Sequence, residues 1–188
     1  MPEADLGPAD VAAWTKGRLS GTDPVVATLL AATLADARAF CGWHVTPVLE
    51  FSGETAITLD GPASHLLVLP TLRMSELASV SEDGLPVDVA DLAWSARGLV
   101  RKKSGWWWSG QFGAITVEFT HGFTIAEAAG WRAAVLSAVD RRSLDLGGVG
   151  QPTKVGPFEW GTPQAAAGSV FTAAERAALE MFRLERPA

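Results

Sequence analysis

Cys41-Gly42-Trp43-His44 sets a thiol and an imidazole three residues apart, the spacing of half a metal site or of a nucleophile beside its base. Either chemistry needs more than this stretch offers. Zinc takes four ligands, usually from paired motifs. The chain has no second cysteine, and the other histidines, His65 and His121, stand in strand or turn contexts. Cys41 therefore reads as a buried structural thiol, the ordinary fate of a free cysteine. The run Gly147-Gly148-Val149-Gly150-Gln151-Pro152-Thr153-Lys154 has the glycines of a phosphate loop. It lacks the Gly-Lys-Ser/Thr ending and follows a helix where a phosphate loop follows a strand, so it reads as a linker.

Trp106-Trp107-Trp108 would suit a stacking platform for a sugar or a single-stranded nucleic acid. On a strand, side chains alternate, so Trp106 and Trp108 share one face and Trp107 takes the other. Core packing combined with contact to a neighbouring chain is the simpler assignment. A carbohydrate- or ligand-binding β module built on this cluster is the alternative. The preceding Arg101-Lys102-Lys103 reads as a solvated hairpin tip, with contact to an acidic neighbour or to DNA as the second option. Carboxylates pair at Glu82/Asp83 and Asp88/Asp91, all in turn contexts where Asp serves the backbone. No acid–base constellation, metal set or cofactor motif emerges. The expectation is a protein that is not an enzyme, needs no cofactor, and presents surface to other proteins.

The composition agrees with a globular, partner-binding chain. At 188 residues it is long enough to bury a core without disulfides or metals, and 48% of it is hydrophobic. One cysteine cannot staple the fold, which fits a reducing compartment or indifference to redox. No apolar run approaches the roughly 20 residues that a membrane span requires, and the acidic Met1-Pro2-Glu3-Ala4-Asp5 is unlike a signal peptide. Fifteen basic against 21 acidic side chains leave a net charge of −6. DNA binding depends on cations meeting phosphates, so this is a poor general DNA binder, although it could line a passage through which DNA slides.

The elements that must position these residues begin with a short helix at Gly7-Pro8-Ala9-Asp10, with Ala12, Ala13 and Trp14 as its packing face and an end near Gly17. A longer helix follows, with Asp23 as N-cap, Pro24 at N1 and Gly42 just past its end. Val26, Leu29, Leu30, Thr33, Ala37, Phe40 and Cys41 form its apolar stripe. Two short strands, 48–51 and 56–59, lead into a run of β-branched and aromatic segments from Ser64 to Phe123, punctuated by Gly, Pro and Asp, which reads as an antiparallel β unit. Within it Asp83-Gly84 marks a hairpin. Thr124 and Glu127 spell a capping box for a third helix with Ala128, Trp131, Val135, Ala138 and Val139 inward and Arg141-Arg142 at its C-terminal end.

Residues 145–169 are rich in Gly and Pro and poor in aliphatics, as expected of a flexible arm, yet they carry Val155-Gly156-Pro157-Phe158-Glu159-Trp160. A second capping box, Thr172 to Glu175, opens a short terminal helix whose apolar face is Ala174, Ala178, Leu179 and Phe182. A helix of about a dozen residues is marginal alone in water, so this one needs a surface to lie on, supplied by its own domain or by a partner. The expectation is that the arm finds that surface on a neighbouring molecule. The fold class is thus α+β: a small core of about three helices, an inserted antiparallel β unit, and an extended C-terminal arm ending in a short helix. The corresponding segments are 1–44, 45–123, 124–144 and 145–188.

The ordered set of motifs resembles one family across nearly the whole chain. It runs from the Pro-led helix and residues 22–48 through Thr58-Leu59-Asp60-Gly61, Leu66 to Pro70, Ser79 to Gly84, Trp94 to Arg101 and Phe119 to Phe123, then to Val155-Gly156-Pro157-Phe158 and the terminal helix. This layout is similar to the head-to-tail adaptor (head completion, or connector) proteins of long-tailed double-stranded DNA phages, in the form found in phages of actinobacteria. The resemblance implies a virion protein that assembles with itself into a ring, expected to be dodecameric. That ring sits beneath the portal protein in the neck, after assembly in the host cytoplasm. DNA would pass through its lumen without specific recognition, and the next neck protein, a stopper or terminator, would dock below. It also implies an arm that grips the portal, with Val155, Gly156, Pro157, Phe158, Trp160, Phe171, Leu179 and Phe182 as its contact residues. The triple tryptophan and the basic residues before it depart from the family pattern, so Arg101 to Lys103 and Trp106 to Trp108 inherit no family contact.

Overall fold

The computed structural model describes residues 5–146, 153–155, 158–160 and 170–184. The fold is α+β, with four α-helices and three antiparallel sheets among the described residues. It divides into two compact units: a helical one of Ala4–Gly42 with Ile125–Pro187, and a β one of Trp43–Thr124.

In the helical unit, α1 (Pro8–Trp14) has Pro8 in its first turn. Val11 takes the inward position. Of the expected face Ala12 is half-buried while Ala13 and Trp14 are exposed, because successive residues step 100° around a helix and cannot share one side. α2 (Pro24–Cys41) begins where Asp23 accepts a hydrogen bond from the Val25 amide at 2.8 Å and ends at Gly42 in the left-handed region. Its inward stripe is Val26, Leu29, Leu30, Thr33, Leu34, Ala37 and Cys41, with Phe40 half-buried. By length and composition α2 is apolar enough to cross a bilayer, contrary to the expectation from the sequence. Here its inward side packs on the other helices of the unit.

After the β unit the chain makes a turn over residues 125–128, and α3 (Ala129–Leu146) starts four residues later than the Thr124 cap suggested. The Ala129 amide reaches back three residues, to Ala126, and the Arg132 amide four, to Ala128. Gly130 in the first turn is a weak helix former, which favours the tighter turn before it. Trp131, Ala134, Val135, Ala138 and Val139 are buried. A two-stranded hairpin pairs β9 (Thr153–Val155) with β10 (Phe158–Trp160), a pairing the linker reading did not anticipate. α4 (Ala173–Glu180) opens with the expected capping box, Thr172 Oγ1 accepting from the Glu175 amide and Glu175 accepting from the Thr172 amide at 2.7 Å.

The β unit numbers its strands β1 (Leu49–Phe51), β2 (Ile57–Leu59), β3 (Leu67–Val68), β4 (Met74–Glu82), β5 (Leu85–Val87), β6 (Leu92–Trp94), β7 (Leu99–Lys102) and β8 (Ile115–His121). β8 is the spine. β4 pairs along one edge, while β1 and β2 share the other, separated by a 3-10 turn at Gly53–Thr55. β4 and β5 form the Asp83-Gly84 hairpin with Glu82 opposite Leu85. Both turn residues have positive φ, 52° and 79°, as a primed two-residue turn requires. β8 alternates as a half-buried strand should, Ile115, Val117, Phe119 and His121 facing in. β4 does not. Its inward residues are Met74, Leu77 and Val80, every third position, because two register shifts against β8 each re-phase the strand. A second sheet, β3-β7-β6, contributes Leu67, Val100 and Leu92 to the same core.

Candidate interaction surfaces

Lys102 is not at a solvated tip. It is the last residue of β7, its side chain is largely buried, and its ammonium bonds the Glu82 carboxylate at 2.5 Å and the Trp107 carbonyl at 3.1 Å. It also lies 4.7 Å from the centre of the Trp108 ring. The other Glu82 oxygen accepts from the Ser109 amide at 2.6 Å, so this carboxylate does more than serve its own turn. Lys103 donates to the Ala90 carbonyl yet stays exposed, as does Arg101. The reason the tip reading fails for Arg101 and Lys102 is register: β7 runs to Lys102, so the turn begins only at Lys103.

These contacts fix a segment with no strand ladder of its own. The Trp108 amide bonds Ser64, the Gly61 amide bonds Gln111, the Ala63 amide bonds Ser109, and Asp60 accepts from the Gly113 amide. Gly61 approaches so closely that a side chain there would lie 2.1 Å from the Ser109 oxygen. On this mount Trp108 goes into the core, 2% exposed, while Trp106, Trp107 and Phe112 remain 75%, 61% and 92% exposed. Trp106 and Trp108 therefore do not share a face, since strict alternation holds only for a pleated strand. His65 packs edge-on against Trp107 at 5.0 Å. Trp106 walls a cavity of about 470 Å³ with Val87, Asp88, Asp91 and Ser104. Asp88 serves the backbone as expected, accepting from the Ala90 amide.

The arm residues divide. Val155, Phe158 and Trp160 belong to β9 and β10, and Gly156 and Pro157 lie outside the described residues. Phe171, Leu179 and Phe182 are buried in the helical unit to which they belong, which overturns the expectation that everything past the third helix lacks a home in its own chain. α4 packs on α3 and α2, and Arg141 pins it by bonding Glu175 at 2.9 Å and the Val170 carbonyl at 2.8 Å. The physical reason is that α2 and α3 offer buried positions within the same unit, against which the apolar face of α4 packs. Arg142, read as a helix-end charge, instead bonds Thr33 and Asp36 of α2.

Sequence reasoning missed the outer side of α2. Pro24, Val25, Ala27, Thr28, Ala31, Ala32, Ala35 and Ala39 are all exposed, and none is charged. The helix's two charged residues beyond its cap, Asp36 and Arg38, are engaged by Arg142 and Asp5. Pro24, Val25, Thr28, Leu29 and Ala32 line a groove of about 360 Å³. A surface helix normally shows solvent a polar face. The signal was available in the sequence, as the lack of charge opposite the apolar stripe.

The chemistry-bearing side chains serve structure. Cys41 is fully buried, its thiol pushed up to about 11 chiefly by burial, so it is protonated and a poor nucleophile at neutral pH. His121 sits in a ring cluster with His44, Phe51 and Phe119, ring centres 4.4 to 4.6 Å away. Neither of its nitrogens has a hydrogen-bond partner, and burial, followed by the neighbouring His44, pulls it down to about 3. Among the described residues no three His, Cys, Asp or Glu side chains are placed to hold a metal ion.

No protein-family model matches the chain, and no curated protein does. Solved structures do match. A chain from the neck of an empty gene transfer agent (GTA) particle, computed with C6 symmetry, aligns at TM-score 0.56 and 13% identity, covering 100% of this chain and 96% of that one. A chain from the neck of a native GTA particle, computed with C12 symmetry, aligns at TM-score 0.55 and 12% identity with the same coverage. At this identity the likeness establishes a shared fold over the full length.

Proposed function

We propose that this chain is a structural, non-enzymatic neck subunit of a phage-like particle, assembling as a ring that connects the capsid portal to the tail. The observation that carries the reading is the end-to-end fold likeness to neck chains from particles solved with C6 and C12 symmetry. A dodecamer is the expected ring. The order of helices, β unit and arm matches the head-to-tail adaptor layout, which supports a portal protein above and a stopper or terminator below, with DNA passing through unread. The net charge of −6 supports a lumen that does not grip phosphates.

The arm's role narrows accordingly. Phe171, Leu179 and Phe182 anchor it to its own helical unit, and Val155, Gly156, Pro157, Phe158 and Trp160 are the residues offered to the portal. Mixing purified chain with portal protein and imaging the product by electron cryomicroscopy tests both levels. A ring stacked on the portal is expected. Deleting residues 151–163, which spares α4, is expected to leave a folded subunit that no longer binds portal. Absence of any ring in the presence of portal would overturn the assignment, and normal portal binding by the deletion variant would overturn the arm's role.

A further inference from the structure

We propose that, in the ring of the preceding reading, Trp106, Trp107 and Phe112 of one copy seat against the uncharged outer side of α2 on the next copy, at the groove formed by Pro24, Val25, Thr28, Leu29 and Ala32. The three most exposed aromatic side chains among the described residues all fall within seven positions, 106–112. Their mount is held by the Lys102–Glu82 pair, five backbone amides and the buried Trp108. Pre-organised aromatics lose little entropy on docking and are enriched at interface centres. The face they would meet is shallow, apolar and flanked by alanines.

The groove side of α2 holds no unpaired charge, its Asp36 and Arg38 being engaged, and Asp88 and Asp91 beside Trp106 would sit at the rim of the contact, where charges stay solvated. A second copy is the occupant because a closed cyclic ring requires two different, mutually fitting surfaces on every chain. This chain displays two such apolar features, exposed rings on one unit and a shallow groove on the other. Burying the three rings would cover on the order of 400 Å² on that side, about half of the roughly 800 Å² per partner that a stable interface needs. The contact is therefore one component of the subunit boundary.

Full-length Trp106→Cys and Thr28→Cys variants test this, with Cys41 left in place because it is buried. Each is assembled alone and mixed, then treated with a short bis-maleimide and run on a denaturing gel. The mixture is expected to give a covalent dimer, each variant alone none, and the double variant a ladder climbing toward the ring size. Thr28→Glu, at an exposed site, is expected to keep the wild-type circular dichroism while lowering the ring fraction at least tenfold. Dimers from Trp106→Cys alone would overturn the proposal in favour of a self-paired contact. Cross-linking of Trp106→Cys to added portal, and not to Thr28→Cys, would make the portal the occupant instead. Rings of normal appearance with no cross-link would sink this contact and leave the ring reading standing. Failure of the wild-type chain to form rings with portal would remove both.

Discussion

Residues 104–113 and 170–184 are both aromatic-bearing segments pinned by a largely buried ion pair, and they end with opposite surfaces. In the second, Arg141 holds Glu175, and Phe171, Leu179 and Phe182 disappear into the helical unit. In the first, Lys102 holds Glu82, and Trp106, Trp107 and Phe112 stay outside while Trp108 alone goes in. The lock is the same in kind, so it does not decide what is hidden. Backbone periodicity does. A helix gathers residues three and four apart on one side, which a single groove can take. An irregular segment held by its amides has no such side, and each ring goes where its own backbone sends it.

Four measurements would break or sharpen that contrast. Trp108→Ala should cost about 3–5 kcal/mol in urea unfolding of the β unit, the usual loss for a buried aromatic. Glu175→Ala strands the Arg141 guanidinium and removes half of a capping box. It should cost roughly 3 kcal/mol and open 170–184 to protease, less than a full buried-pair rupture because Arg141 keeps the Val170 carbonyl.

The third is acid sensitivity of the β unit. His121 is neutral in the folded state down to about 3, whereas the unfolded chain takes up a proton near pH 6.5. Stability should therefore fall as pH drops below 6.5, by up to about 1.4 kcal/mol per unit. Glu118, held low by the Gly53 amide and then by Ser79, adds a loss in the same direction at more acid pH. His121→Leu should flatten the dependence of melting temperature between pH 7 and 5, and an unchanged slope would show that another group titrates. The smallest effect belongs to Trp106→Ala and Phe112→Ala, each within about 0.5 kcal/mol of wild type. A loss comparable to that of Trp108→Ala would mean the displayed rings are core after all.

Much of the architecture was legible in the sequence wherever the signal is local. Asp23-Pro24 and Gly42 bound α2, Thr172 and Glu175 open α4, Asp83-Gly84 turns β4 into β5, and β8 shows its alternation. The candidate surfaces were half legible. The tryptophan cluster was marked, but its members were assigned to the wrong faces, because the alternation rule was applied to a stretch that forms no ladder. The terminal helix was recognised as amphipathic, but its partner was sought in another molecule. The bare side of α2 shows in the sequence only as missing charge opposite the apolar stripe, a weaker signal than the stripe itself.

What the sequence determined by itself are features whose energies close within about four residues: caps, the primed turn, helix stripes, and the burial of a lone cysteine. What only the tertiary structure decided depends on partners far along the chain. Glu82 meets Lys102 and Ser109 across 20 and 27 positions, Arg141 meets Glu175 across 34, and β1 and β2 share β8. No local pattern encodes which distant group will arrive, because that choice is made by the packing of the whole unit. The same packing sets which aromatic ring is core and which is left to meet another surface.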